Sequence, residues 1–162
     1  MGKKNMYPKL RPGDLLYRRK GIIEHVGVYL GGDQVVHNSP NNDVEVVNIQ
    51  TYAEGQTIRV VSMEFDDIEQ LRHRLHQILN ANRKYRATHR NCEHIASYLL
   101  WGRSSSPQIQ ASIAGALIAG FAAWKAGNKN WLGYAVAGGM IGCMIYNHVR
   151  NYDYRMSMQT PY

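Results

Sequence analysis

The chain has 162 residues, 44% hydrophobic and 19% charged, with 19 Lys and Arg against 12 Asp and Glu and a formal charge of +7. That length suits one compact domain plus an appendage, and the composition excludes a chain disordered throughout. The surplus is spread, 15 against 11 in residues 1–107 and 4 against 1 in 108–162; this suits loose attraction to anionic lipid or nucleic acid, and with no helix-turn-helix, zinc-finger or aromatic RNA-reading signature it argues against a specific nucleic-acid partner.

Met1–Gly13 is basic and polar, with no apolar stretch of a secretory signal, and Met6 stands where a myristoylation motif at Gly2 wants Ser or Thr. Arg11-Pro12-Gly13-Asp14 is a turn signal, followed by a short strand at Leu15–Arg18. Ile22–Leu30 is a stronger strand, rich in β-branched residues; Gly31-Gly32-Asp33 closes it as a hairpin, and Gln34–Asn38 returns. Two further strands are expected at Val44–Ile49 and Thr57–Ser62. Asp66–Asn82 reads as a helix, with Ile68, Leu71, Leu75, Ile78 and Leu79 at helical spacing and acidic residues at its start. After a polar stretch at Arg83–Arg90, Cys92–Trp101 reads as a second helix, with Asn91 as its N-cap.

The chain changes character near Ser104–Pro107. Gln108–Trp124 gives 17 uncharged residues and Asn130–Asn147 gives 18, separated by Lys125-Ala-Gly-Asn-Lys129. As helices these would measure roughly 25–27 Å, just enough for a thin hydrocarbon core. Small residues recur four apart (Ala111/Gly115/Ala119, Gly138/Gly142), a spacing that lets two helices approach closely. The expected organisation is an α+β domain over 1–107, an apolar helical hairpin over 108–149 that is re-entrant or spanning in a membrane, or else buried against the domain or a partner subunit, and a polar tail over 150–162. Self-association through the hairpin is a further expectation.

Three residues stand out chemically. Strand alternation puts His25, Gly27 and Tyr29 on one face, and His37, 12 residues on, lies in the strand paired across the Gly31-Gly32 turn. Cys92 opens a helix, where unpaired backbone N–H groups and the helix dipole favour a thiolate, and where the same amides could receive an oxyanion. An adjacent imidazole would complete an activated nucleophile. The competing readings are a structural cysteine and structural strand histidines. A metal site from His89, Cys92 and His94 lacks a fourth ligand or a second nearby cysteine, so no metal or cofactor is expected. Only two cysteines, Cys92 and Cys143, are present; both are read as free thiols in a reducing compartment.

His25-Val-Gly-Val-Tyr-Leu-Gly31, Val35-Val36-His37 and Asn91-Cys92-Glu93-His94 together resemble the signature of the lecithin:retinol acyltransferase-like family, within the wider NlpC-type, permuted papain-like thiol enzymes. Arg11-Pro-Gly-Asp-Leu-Leu16 resembles the opening of that domain and Trp101-Gly102 the segment after its cysteine helix, so the likeness covers about residues 8–108. Ile95 departs from it, standing where Phe is expected. The resemblance implies a small antiparallel sheet packed on a cysteine-bearing helix, with Cys92 as nucleophile, His25 as general base and His37 orienting it. It also implies acyl transfer or hydrolysis of glycerophospholipids through a thioester, with membrane phospholipid as substrate and surface and the domain on the cytoplasmic side. A cysteine peptidase or amidase, and a membrane adaptor without catalysis, are the alternatives.

Overall fold

The computed structural model describes residues 9–21, 23–39, 43–64, 67–80, 92–103 and 105–158. The Asn91 cap and the polar stretch Arg83–Arg90 with His89 lie outside these. The chain forms two compact units: a sheet domain made of 1–20, 24–105 and 151–162, and a helical hairpin made chiefly of 106–150.

The sheet domain holds six antiparallel strands: β1 (Leu15–Lys20), β2 (Ile23–Gly31), β3 (Gln34–Ser39), β4 (Asp43–Asn48), β5 (Thr57–Val61) and β6 (Tyr154–Ser157), in the spatial order β4-β3-β2-β1-β5-β6. Three helices cover it: α1 (Ile49–Ala53), α2 (Ile68–Asn80) and α3 (Cys92–Trp101). The expected α+β class and cysteine-bearing helix are therefore present. The β2–β3 turn places Gly31, Gly32 and Asp33 at φ of 90°, 58° and 70°, a run of left-handed residues that two glycines make inexpensive. It fixes the register, Val28 opposite Val36 and Gly27 opposite His37.

Alternation then sorts the side chains into two cores. Leu15, Tyr17, Val26, Val28 and Val36 pack under α2 and α3, against Leu71, Ile95 and Leu99. Leu16, Tyr29, Val35, Ile58 and Val60 pack under α1, against Ile49, Tyr52 and Ala53. Arg74 on α2 closes the end of α3, donating from Nη1 to the carbonyls of Leu99 (2.9 Å) and Leu100 (2.7 Å), while Gly102 turns the chain away at φ 69°.

Two elements were not expected. The run Val44–Ile49 does not continue as strand: Asn48 caps α1, its side chain accepting from the Thr51 N–H at 2.7 Å, so Ile49 begins a helix. In the stretch read as a polar tail, Tyr154–Ser157 pair with β5, Ile58 opposite Met156, and Met158 is buried in the α1-side core.

In the hairpin, α4 (Pro107–Lys125) starts with Ser106 as N-cap and Pro107 in the first turn, and α5 (Trp131–Val149) returns beside it. Small residues make the seam. A Cβ on Gly138 would fall 2.3 Å from the Gly115 carbonyl oxygen, and one on Gly142 2.3 Å from that of Ala111. At its base Gln108 is buried and donates from Nε2 to Asn147 Oδ1 (3.0 Å) and toward Cys143 Sγ (3.2 Å). Most side chains away from the seam are apolar and open, including Leu117, Ile118, Phe121, Trp124, Leu132 and Val136. No helix among the described residues is long and apolar enough to cross a membrane. The spanning version of the hairpin therefore falls away: glycines and the polar Gln110, Asn147 and His148 lower the hydropathy of both helices.

Candidate active site

β2 and β3 bring the two histidines together as their register requires. His25 Nε2 lies 3.0 Å from His37 Nδ1, with ring centroids 5.1 Å apart and planes at 86°. Both rings are buried. His37 Nε2 lies 3.4 Å from Glu45 Oε1 on β4. Proton bookkeeping along this row is restrictive. A carboxylate only accepts, so His37 carries its proton on Nε2 and its Nδ1 is a bare acceptor. His25 then donates from Nε2, and its Nδ1 is left as the basic nitrogen.

Cys92 approaches from the first turn of α3, the helix that packs on the Val26 and Val28 side of the sheet. It meets the edge of β2 rather than its face. Tyr29 N–H donates to the Asp14 carbonyl and the Tyr29 carbonyl accepts from Gly13, so odd-numbered residues of β2 turn their polar groups toward β1 and even-numbered ones toward β3. The sulfur sits on that second edge, where the register with β3 has run to Gly27–His37. Its Sγ is 3.8 Å from the Glu24 carbonyl oxygen, and the Val26 N–H faces it. The thiol thus touches the backbone on both sides of His25.

Electrostatics set the resting charges. Burial pushes the Cys92 thiol up; the N–H groups of Val26, Glu93 and Cys92 pull it down without prevailing, and the Glu93 carboxylate adds to the rise. This differs from the helix-terminus expectation of a stabilised thiolate, because three amides do not replace the water lost on burial. Burial likewise lowers His25 to about 3, helped by His37, Arg18 and Lys20. His37 is lowered by burial, against the pull of Glu45. At neutral pH the site holds a thiol and two neutral imidazoles rather than an ion pair.

Three groups near the site carry no motif in the sequence. Tyr52 on α1 is buried; its ring stacks on His25 (centroids 5.8 Å, 29°) and lies edgewise to His37 (5.3 Å, 64°). Arg18, also buried, holds its guanidinium 5.4 Å from the Tyr52 ring centre and grips both carboxylate oxygens of Glu54 at 2.7 Å. On the α3 side, the buried Glu24 carboxylate is held by Arg59 and the Tyr152 hydroxyl, with the Arg59 guanidinium over the Tyr152 ring at 4.8 Å. The Asn48 cap was the local signal that could have revealed α1, and with it Tyr52. Among the described residues no group of three or more His, Cys, Asp or Glu could hold a metal ion.

A mixed α+β domain that sets a helix-borne cysteine against a strand, with two hydrogen-bonded histidines on that strand and its neighbour, defines the class. The chain belongs to the lecithin retinol acyltransferase family, whose model matches residues 8–105. It is also similar to the human protein described as phospholipase A and acyltransferase 3, 24% identical over 136 residues, which cover 70% of this chain and 84% of that protein. Family and relative together support an acyltransferase or phospholipase-like function.

Proposed function

We propose that the protein is a thiol-dependent acyl hydrolase or acyltransferase acting on glycerophospholipid at a membrane surface. The observation that carries this reading is the His25–His37 contact of 3.0 Å with Cys92 Sγ lodged against the backbone on either side of His25. His25 Nδ1 takes the thiol proton as the sulfur attacks the ester carbonyl carbon. The tetrahedral oxyanion is received by amides of the set Val26, Cys92 and Glu93 that surrounds the sulfur. The carbonyl re-forms, the C–O bond to the leaving alkoxide breaks, and His25 returns the proton to that oxygen. This leaves acyl-Cys92. Water or an acceptor amine or hydroxyl, deprotonated by His25, then attacks the thioester, and the thiol is restored. His37, backed by Glu45, holds His25 in the tautomer this needs.

The hairpin supports lipid over peptide as substrate. Away from the seam its apolar side chains are exposed over a broad surface, and Trp124, Lys125, Lys129 and Trp131 lie at or beside its tip, the composition of an element seated in the lipid interface.

The test is intact-protein mass after brief incubation with phosphatidylcholine vesicles, beside Cys92→Ala. A gain of one fatty acyl group, labile to hydroxylamine and absent in the variant, supports the thioester. Absence of both adduct and released fatty acid refutes lipid chemistry at this site.

A further inference from the structure

The active-site reading above uses His25, His37, Glu45 and Cys92, and leaves a question about the histidine pair itself. Two buried imidazoles at right angles need a surface to rest on, and β2 has none of its own between them, because the intervening residue on that face is Gly27. A Cβ there would stand 2.9 Å from Cε2 and 3.1 Å from Cζ of Tyr52. The phenol ring fills the space the glycine leaves, in contact with both imidazoles.

We propose that Tyr52 is the positioning residue of the histidine pair, and that the Arg18–Glu54 pair held at its ring tunes the charge the pair carries. The proposal rests on His25 being the base.

The Tyr52 hydroxyl donates to the Leu16 carbonyl at 2.6 Å and reaches the His25 carbonyl at 3.1 Å, so it ties β1 to β2 at the histidine. Burial holds the phenol well above its ordinary range, so it stays a neutral donor and does not exchange protons in the reaction. Its part is geometric. The same short helix and its C-cap supply Glu54, at φ 49°, which clamps the Arg18 guanidinium against the Tyr52 ring. One five-residue helix thus delivers both the rest for the imidazoles and the anchor of the nearest buried cation. The charged and titratable groups facing the pair are Arg18 and Lys20 from β1, Glu45 from β4, Glu54 and Tyr52 from α1 and its cap, and Cys92 from α3. Arg18 and Lys20 oppose a proton on His25, and only Glu45 and Glu54 favour one on His37. Arg18 is therefore placed to keep His25 a free base under mildly acid conditions, and Glu54 to limit that effect.

The experiment is hydrolysis of phosphatidylcholine in mixed micelles from about pH 2 to 9, a window that takes in the His25 titration near 3, beside an NMR titration of the imidazoles in the full chain. Tyr52→Phe keeps the ring and should hold kcat within about threefold. Tyr52→Leu should lower kcat about tenfold or more with KM within about twofold, because base and thiol lose alignment rather than substrate binding. Arg18→Gln should move the acid limb of kcat/KM, and the His25 titration with it, upward by about half a pH unit or more. If Tyr52→Leu does not fold, Tyr52→Phe and Arg18→Gln carry the test. A folded Tyr52→Leu with unchanged kcat, a Tyr52→Phe whose kcat falls about tenfold although the ring is kept, or an Arg18→Gln with an unmoved acid limb and titration overturns the proposal. If Cys92→Ala retains hydrolysis, the nucleophile reading fails instead; the NMR titration still decides the role of Arg18, an unmoved His25 overturning it.

Discussion

Replacing Gly27 by alanine is the sharpest single perturbation of this site. Gly27 lies opposite His37 on β3 and between His25 and Tyr29 along the face of β2. A methyl group there would stand 2.6 Å from Val35 Cγ1 and 2.9 Å from Tyr52 Cε2. Neither neighbour can swing into solvent: Val35 is 0% exposed and Tyr52 1%. The added carbon must displace the phenol ring or separate β2 from β3, and overpacking of this kind costs about 1–3 kcal/mol. For a chain of this size that is a fall in Tm of roughly 2–12 °C. Because the ring that moves is the one touching both imidazoles, hydrolysis should fall by more than the unfolded fraction explains. Urea unfolding gives the stability term, with an unchanged m-value showing that the native state remains compact, and kcat measured well below Tm gives the other. A loss under about 0.5 kcal/mol with normal kcat would refute the packing account of the histidine pair.

Acidification should destabilise the fold through the same pair. His25 binds a proton near pH 6.5 when unfolded but only near 3 when folded, so between those values the unfolded chain holds the extra proton. Stability is then lost as pH falls from about 6.5 toward 3, at up to about 1.4 kcal/mol per pH unit; His37, shifted the same way, adds to it. Urea midpoints that stay level from pH 7 to 4 would contradict this. The Cys92 thiol, raised by burial, should react with iodoacetamide at pH 7 more slowly than a free cysteine, and its rate should still be climbing with pH where that of a free cysteine has levelled off. A rate already at its plateau below pH 7 would show a thiolate instead. Asn48→Ala removes the cap of α1 and should cost about 1 kcal/mol, with a fall in kcat if Tyr52 moves with the helix; an unchanged urea midpoint would show the cap to be idle.

The local code of the sheet was legible where a strand is strong and its turn demands glycine. β2, β3 and the Gly31-Gly32-Asp33 turn follow directly from residue types, and with them the meeting of His25 and His37. Ile49 reads as the end of a strand because β-branched residues favour strand in general, whereas here one Asn side chain bonding one amide starts a helix. β6 was not visible because a four-residue edge strand has no pattern of its own; it exists only through β5, about a hundred residues away. The state of Cys92 was misjudged for a related reason. Position at a helix start is local, but burial is a property of everything packed around the sulfur, and burial is the larger effect.

The sixth strand changes what it means to remove the apolar hairpin. The chain leaves the sheet domain after α3 and re-enters it as β6, so the hairpin is an insertion held at both ends rather than a terminal anchor. Ending the protein at residue 106 would strip away more than lipid-facing surface. It would also expose the β5 edge, empty the place of Met158 in the core, and leave the buried Glu24 carboxylate without the Tyr152 hydroxyl, one residue from the proposed base. A soluble form of the domain is therefore better made by joining residue 105 to 151 through a short flexible linker, which keeps the closing strand in the same polypeptide.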